Sequence, residues 1–213
     1  MPIVAWHAYE WAQNLLKRYH YDDESRRILQ LGKGTASKIL GEVLPLAAYA
    51  RQRKDFEDVY LHYFSSSPQS FDAEFRIREG ELVERTEVTI AINGFEEQIR
   101  RETIEQHGWS PGFGLNEYTG SVRNREIPEP EHRLHGQEEA VANLESLVEF
   151  AYAKKVRNIG KYPGISLVIG VDCFALNSKA EFQEVISPVV ATKTPFEAVN
   201  VVDINGRFYH RHK

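Results

Sequence analysis

The segment 70-SFDAEFRIREGELVERTEVTIAINGFEEQ-98 carries two signals, a strand pattern and an unusual placement of acids. Phe71, Ala73, Phe75 and Ile77 alternate with Asp72, Glu74, Arg76 and Arg78, the two-residue period of a half-buried strand. Glu79-Gly80 turns the chain, and 81–92 follows as a second run rich in Val, Thr and Ile. The pattern predicts antiparallel strands over 71–79 and 81–92, then a turn at Asn93-Gly94 and a charged helix over 95–107. Asp72 opens the first strand, while Glu84 and Glu87 stand inside the second. A carboxylate in a strand is unfavourable unless it faces water, a partner or a metal. In neighbouring strands such groups can converge where a hard divalent cation needs oxygen ligands.

Upstream, 59–65 (VYLHYFS) reads as a third strand, delivered to Asp72 by a Ser- and Pro-containing loop. Before it, 36–54 predicts a helix with Ile39, Leu40, Val43, Leu44, Leu46, Ala47 and Tyr49 on one broad face, kinked at Pro45. Glu42 sits beside that face. The preceding 31-LGKGT-35 lacks the spacing and the strand of a phosphate-binding loop, and reads as a helix entry capped by Thr35 or Ser37. Residues 1–30 form an N-terminal helical arm, with a helix over 6–19 and a polar loop over 21–30.

Downstream, 108–135 is the longest irregular region, a flap or binding loop carrying Arg123, Arg125, Arg133, His132 and His135. The two histidines have no matching pair nearby, so a zinc site is not expected. A helix follows over 137–157, with Ala140, Val141, Leu144, Leu147, Val148 and Ala151 on one face. Lys154, Lys155 and Arg157 collect at its C-terminal end, where they complement the helix dipole. The continuous apolar run 165-ISLVIGV-171 predicts a strand buried on both faces and therefore central in its sheet. Asp172 ends that strand, 179–186 is helical, and 198–204 leads through Asn205-Gly206 into a closing hairpin.

Length and composition frame these elements. The chain has 213 residues, 42% hydrophobic and 27% charged, in keeping with a single α/β domain that buries its own core. No apolar run reaches the roughly 18 residues of a membrane helix, and the N-terminus lacks the basic-then-apolar pattern of a signal peptide. The single Cys173 suits a reducing, cytoplasmic setting. With 26 Lys and Arg against 31 Asp and Glu, the net charge of −5 argues against coating nucleic acid by bulk charge, though not against a local basic groove.

The order helix, three-stranded meander, helix, strand resembles the core of the restriction-endonuclease-like, or PD-(D/E)xK, nuclease superfamily. The resemblance covers about residues 36–171 and rests on short motifs: Phe71-Asp72 for the Pro-Asp, Glu87-Val88-Thr89 for the acid-x-Lys, and Glu42 for the helix acid. Glu84-Arg85-Thr86 offers a second register. The resemblance implies a mixed sheet flanked by helices, with Asp72, Glu87 and Glu42 holding Mg²⁺ or Mn²⁺ and DNA as the substrate. It places Thr89 where the family has its lysine, a position at which a neutral hydroxyl stabilises developing charge poorly. A lysine migrated to a helix would restore that charge; Lys38 and Lys54 are the nearest in the chain.

Three functional expectations follow. The first is a metal-dependent phosphodiesterase on Asp72, Glu87 and Thr89. The second, favoured by the loss of the lysine, is a weak or silent relative that binds nucleic acid through Arg123, Arg125, Arg133, Lys154 and Lys155. The third is a protein-interaction or oligomeric module of unrelated α/β type, with Trp6 and Trp11 at a homodimer or partner interface. In the first two, the carboxylates of Asp72 and Glu87 are expected close enough to share one cation, with Glu42 pointing at the same place.

Overall fold

The computed structural model describes residues 2–64, 71–111, 115–132, 136–157 and 164–213. A short strand, β1 (Ile3–Val4), and a 3-10 turn lead into α1 (Ala8–Arg18) and then α2 (Asp23–Gln30). The next helical rod comprises α3 (Thr35–Lys38), a π-helical turn (Ile39–Val43) and α4 (Leu44–Gln52). Strands β2 (Val59–Tyr63), β3 (Ala73–Ile77) and β4 (Leu82–Ile90) form the meander, and α5 (Gly94–His107) follows. A small hairpin of β5 (Thr119–Gly120) and β6 (Arg125–Glu126) precedes α6 (Gln137–Val156). The chain closes with β7 (Ser166–Val171), α7 (Lys179–Val185), α8 (Ser187–Val190), β8 (Val199–Asp203) and β9 (Tyr209–His212).

Among the described residues, seven strands form one mixed sheet in the order β1-β2-β3-β4-β7-β8-β9. β2, β3 and β4 pair antiparallel, β7 runs parallel to β4 and to β8, and β9 returns antiparallel. Every residue of β7 is buried and the strand lies between β4 and β8, so the unbroken apolar run takes the interior place that suits it.

The two faces of the sheet bury separate cores. Phe75, Leu61, Val88, Val168 and Val202 pack beneath the α3–α4 rod and α1. Leu167, Ile169, Val171, Val199 and Val201 pack beneath α6, α7 and α8. The rod approaches closely at Gly170, where an added Cβ would lie 2.5 Å from Cγ of Pro45. Pro45 itself explains the π turn, because it has no N–H to donate and its ring crowds the carbonyl four residues back. The rod loosens there, and Leu44 N–H bonds back to Ile39, five residues away. Such turns often mark functional sites, and Glu42 rides on this one.

Several elements differ from the sequence expectation. Among them are β1 inside the expected helical arm and the β5–β6 hairpin inside the expected irregular region. The entry to α3 has Gly34 as its N-cap with no side-chain cap, where Thr35 or Ser37 was expected. The 21–30 segment contains α2 and is not a loop: Asp22 caps it by accepting Ser25 N–H at 2.7 Å, and Asp23 and Glu24 occupy its first turn. The expected turn at Asn93-Gly94 is the start of α5 itself, with Asn93 as its cap accepting Phe95 N–H at 3.0 Å.

Candidate active site

The register of the meander brings the two motif acids together. Ala73 lies opposite Thr86 and Glu74 opposite Arg85, so one further step places Asp72 opposite Glu87. Asp72 stands just ahead of β3, and its Oδ2 accepts Val88 N–H at 2.8 Å where the strand ladder has ended. Glu87 is 8% exposed. The Glu87 charge lies near enough to raise the proton affinity of Asp72. Like charges placed directly opposite destabilise a strand pair, so this arrangement needs compensation.

Lys155 supplies part of it. From the last turn of α6 its ammonium bonds Oε1 of Glu87. Burial first, and the neighbouring Glu87 charge second, push the Asp72 carboxyl up to about 6; the Val88 N–H and Lys155 pull the other way. Asp72 therefore holds a proton through the mildly acidic range and is ionised at neutral pH.

The third motif acid is held by a tyrosine of β2. Glu42 Oε2 accepts a hydrogen bond from the Tyr63 hydroxyl at 2.5 Å. Burial, that bond and the charges of Glu42 and Asp72 all raise the Tyr63 hydroxyl's pKa, so it remains a donor. Tyr63 thus holds the helix acid on the rod's face of the sheet, whereas Glu87 faces α6.

Thr89 follows two residues after Glu87 on β4, on the same face, opposite Ile169. Glu84 points the other way, into the first core, where its carboxylate accepts the Tyr49 hydroxyl at 2.8 and 3.0 Å and Arg53 Nη1 at 2.8 Å. The second register of the motif is therefore committed to a buried ion pair. Of the two lysines nearest in sequence, Lys38 ends α3 and Lys54 begins the turn beyond α4, at the far end of the rod from Glu42.

The basic residues expected to contact nucleic acid divide. Lys155 belongs to the acid pair, and Lys154 beside it is exposed. Arg125 bonds Glu102 through Nε at 2.6 Å and lies over the Phe95 ring, fastening the β5–β6 hairpin to α5. Arg123 is exposed at the turn of that hairpin. Arg133 and His135 lie outside the described residues, and His132 stacks on Trp109 with ring centroids 4.3 Å apart. At the opposite end of β7, Asp172 accepts Phe174 N–H at 3.1 Å, and the fully buried Asp203 accepts Cys173, Asn205 and Arg207 N–H groups. That loop is knotted by its own hydrogen bonds.

Among the described residues no three His, Cys, Asp or Glu side chains converge as a metal cage. Two adjoining carboxylates nevertheless fit a hard divalent cation, since magnesium is commonly held by one or two carboxylates together with substrate phosphates and water. The repulsion that raises the affinity of Asp72 for a proton is of the kind a cation in the proton's place would relieve.

Sequence reasoning missed the position of Lys155, although a signal was present. Val148, Ala151, Tyr152 and Lys155 share one stripe of α6, and the first three are buried. A lysine that continues a buried stripe needs a buried partner. No protein family, curated protein or solved structure matches this chain in comparisons of sequence and structure.

Proposed function

We propose that this chain is a metal-dependent phosphodiesterase acting on nucleic acid, built on a restriction-endonuclease-like core. The observation that carries the reading is the bond from Lys155 to Glu87, which stands opposite Asp72. The topology supports it: a helical rod, an antiparallel meander, a helix, and then β7 parallel to β4. The expectation of a weak or silent site rested on Thr89 standing in place of a lysine. Lys155 brings a lysine to the same carboxylate from α6.

In this reading Asp72 and Glu87 hold Mg²⁺ or Mn²⁺, which when bound supplies Lewis acidity and a water ionisable near neutral pH. Lys155 places a positive charge where negative charge grows on the phosphate. Asp72 must release its proton to act as a ligand, so cation affinity falls as pH drops below about 6. Tyr63 holds Glu42 at the rim by donating to it.

The test is incubation with plasmid and single-stranded DNA in Mg²⁺ or Mn²⁺ against EDTA, beside Asp72→Ala and Glu87→Ala. Cation-dependent cutting lost in both variants is expected. Cutting that survives both substitutions, or no cutting by the parent protein, would sink the reading.

A further inference from the structure

The face of the meander that carries Glu87 also carries a cluster of arginines. Glu84 and Val88 turn toward the rod, so Arg85 and Glu87, which alternate with them on β4, share the opposite face. Glu74, directly opposite Arg85 on β3, is the hub of the cluster. Arg76 takes one of its carboxylate oxygens through Nε at 2.8 Å and Nη2 at 2.7 Å, and Arg85 takes the other through Nε at 3.1 Å. The Arg85 guanidinium also lies over the Phe71 ring, 5.2 Å from its centroid. Glu74 and Phe71 stand on either side of Asp72 in the chain, so these two contacts hold the guanidinium along the segment that carries Asp72.

The charges in this cluster do not cancel. Burial works against the Glu74 carboxylate, yet Arg76 and Arg85 hold its carboxyl below the usual range. Arg76 alone matches that charge, and His62, opposite Glu74 on β2, brings no negative charge to offset a second arginine. Arg85 is therefore a positive charge in excess, and 43% of its side chain is exposed. Its spacing from Glu87 suits a nucleic-acid strand. Two strand residues rise about 7 Å, and a nucleotide, with twice the backbone bonds of an amino acid, spans about as much in one step. An arginine presents a planar fork that matches the oxygens of a phosphate. We infer that Arg85 holds the phosphate next to the one cleaved at Asp72 and Glu87, with Glu74 and Arg76 as its positioning residues; the inference rests on the phosphodiesterase reading. A net charge of −5 gives little bulk attraction for a phosphate backbone, so binding falls to local surpluses of this kind.

The experiment uses the full chain and oligothymidylates that each carry one methylphosphonate, an uncharged stand-in for a phosphate, at a successive position. Single-turnover cleavage in Mn²⁺ is mapped to the cut bond for the parent protein, Arg85→Ala and Arg85→Lys. Circular dichroism confirms that each variant is folded. In the parent, a methylphosphonate one step from a cut bond should slow that cut about tenfold or more, the scale of a lost hydrogen bond to a charged group. Arg85→Ala should cut the all-phosphate strand about tenfold more slowly and be indifferent to that methylphosphonate. Arg85→Lys, which keeps the charge without the fork, should fall between the two. Binding of the all-phosphate strand in EDTA should show a salt slope lower by about one in Arg85→Ala. A methylphosphonate penalty of parental size in Arg85→Ala, or an unchanged salt slope, would reduce Arg85 to an ion pair of Glu74 and overturn the inference. Binding with the lowered slope but no cutting by the parent would support Arg85 as a phosphate ligand and sink the cleavage reading alone. Absence of any binding to nucleic acid would remove both.

Discussion

The ammonium of Lys155 bonds Oε1 of Glu87 across 68 residues of chain, joining the end of α6 to the middle of β4. The same carboxylate stands opposite Asp72 and raises its proton affinity, so two acids and one base share a region that burial makes costly for any net charge. The triad carries one negative charge in excess when all three groups are ionised. A divalent cation would offset it, and so, at lower pH, does a proton on Asp72.

That balance sets a pH and cation dependence of stability. The Asp72 carboxyl is raised from 3.8 to about 6 in the folded protein, so over this window the folded state binds a proton that the unfolded chain releases. Its contribution to stability is greatest below the lower value and is lost as pH rises through about 6. Thermal unfolding should show a Tm increase with Mn²⁺ or Mg²⁺ at about pH 8 that disappears at about pH 4. Asp72→Asn should raise Tm in EDTA at about pH 8 and abolish the cation response. A cation response that persists in Asp72→Asn would place the cation elsewhere.

The neighbouring acid of β4 should behave oppositely. Glu84 is buried against Arg53 at 2.8 Å and accepts the Tyr49 hydroxyl, and Arg53 also bonds Asp55 through Nε at 2.7 Å. Removing one partner of a buried pair strands the other charge and costs about 3–5 kcal/mol. Urea denaturation of Glu84→Ala should show a loss of this order. A loss well under about 1 kcal/mol, the scale of an exposed pair, would mean that the pair is wet.

Close packing of the helical rod makes a third test. In Gly170→Ala the new methyl would lie 2.5 and 2.8 Å from the Pro45 ring and 3.2 Å from Ile204. The ring cannot swing aside, so overpacking of about 1–3 kcal/mol is expected in urea denaturation. A neutral or stabilising result would show that the rod can slide on β7.

The sequence made the sheet legible because its strands carry their own periodicity. Alternation marked β3, and the continuous apolar run marked β7 as central. Helix α2 escaped because no residue of it is buried, so it has no apolar stripe to read; the Asp22–Ser25 cap was its only sign. β1 escaped because two residues cannot show a period. That Asp72 stands opposite Glu87 was not legible from strand order, because the β3–β4 ladder shifts register between Phe75 and Arg76. Nor was Lys155, because which residue of α6 meets which residue of β4 depends on how the helix docks, a tertiary fact. Glu84 shows the converse: its spacing suited the motif, and the pleat turned it to the other face.

The central claim is that Lys155 performs from α6 the task of a lysine on β4, and one comparison of cleavage rates tests it. Single-turnover cleavage of single-stranded DNA in Mn²⁺ should fall about 10²–10³-fold in Lys155→Ala, the usual loss on removing one well-placed stabilising group. Thr89 lies on the face of Glu87, so adding Thr89→Lys to Lys155→Ala should return a lysine beside the same carboxylate and restore much of the rate. Cleavage by Lys155→Ala at the parent rate, or a double variant no faster than Lys155→Ala alone, would contradict the account.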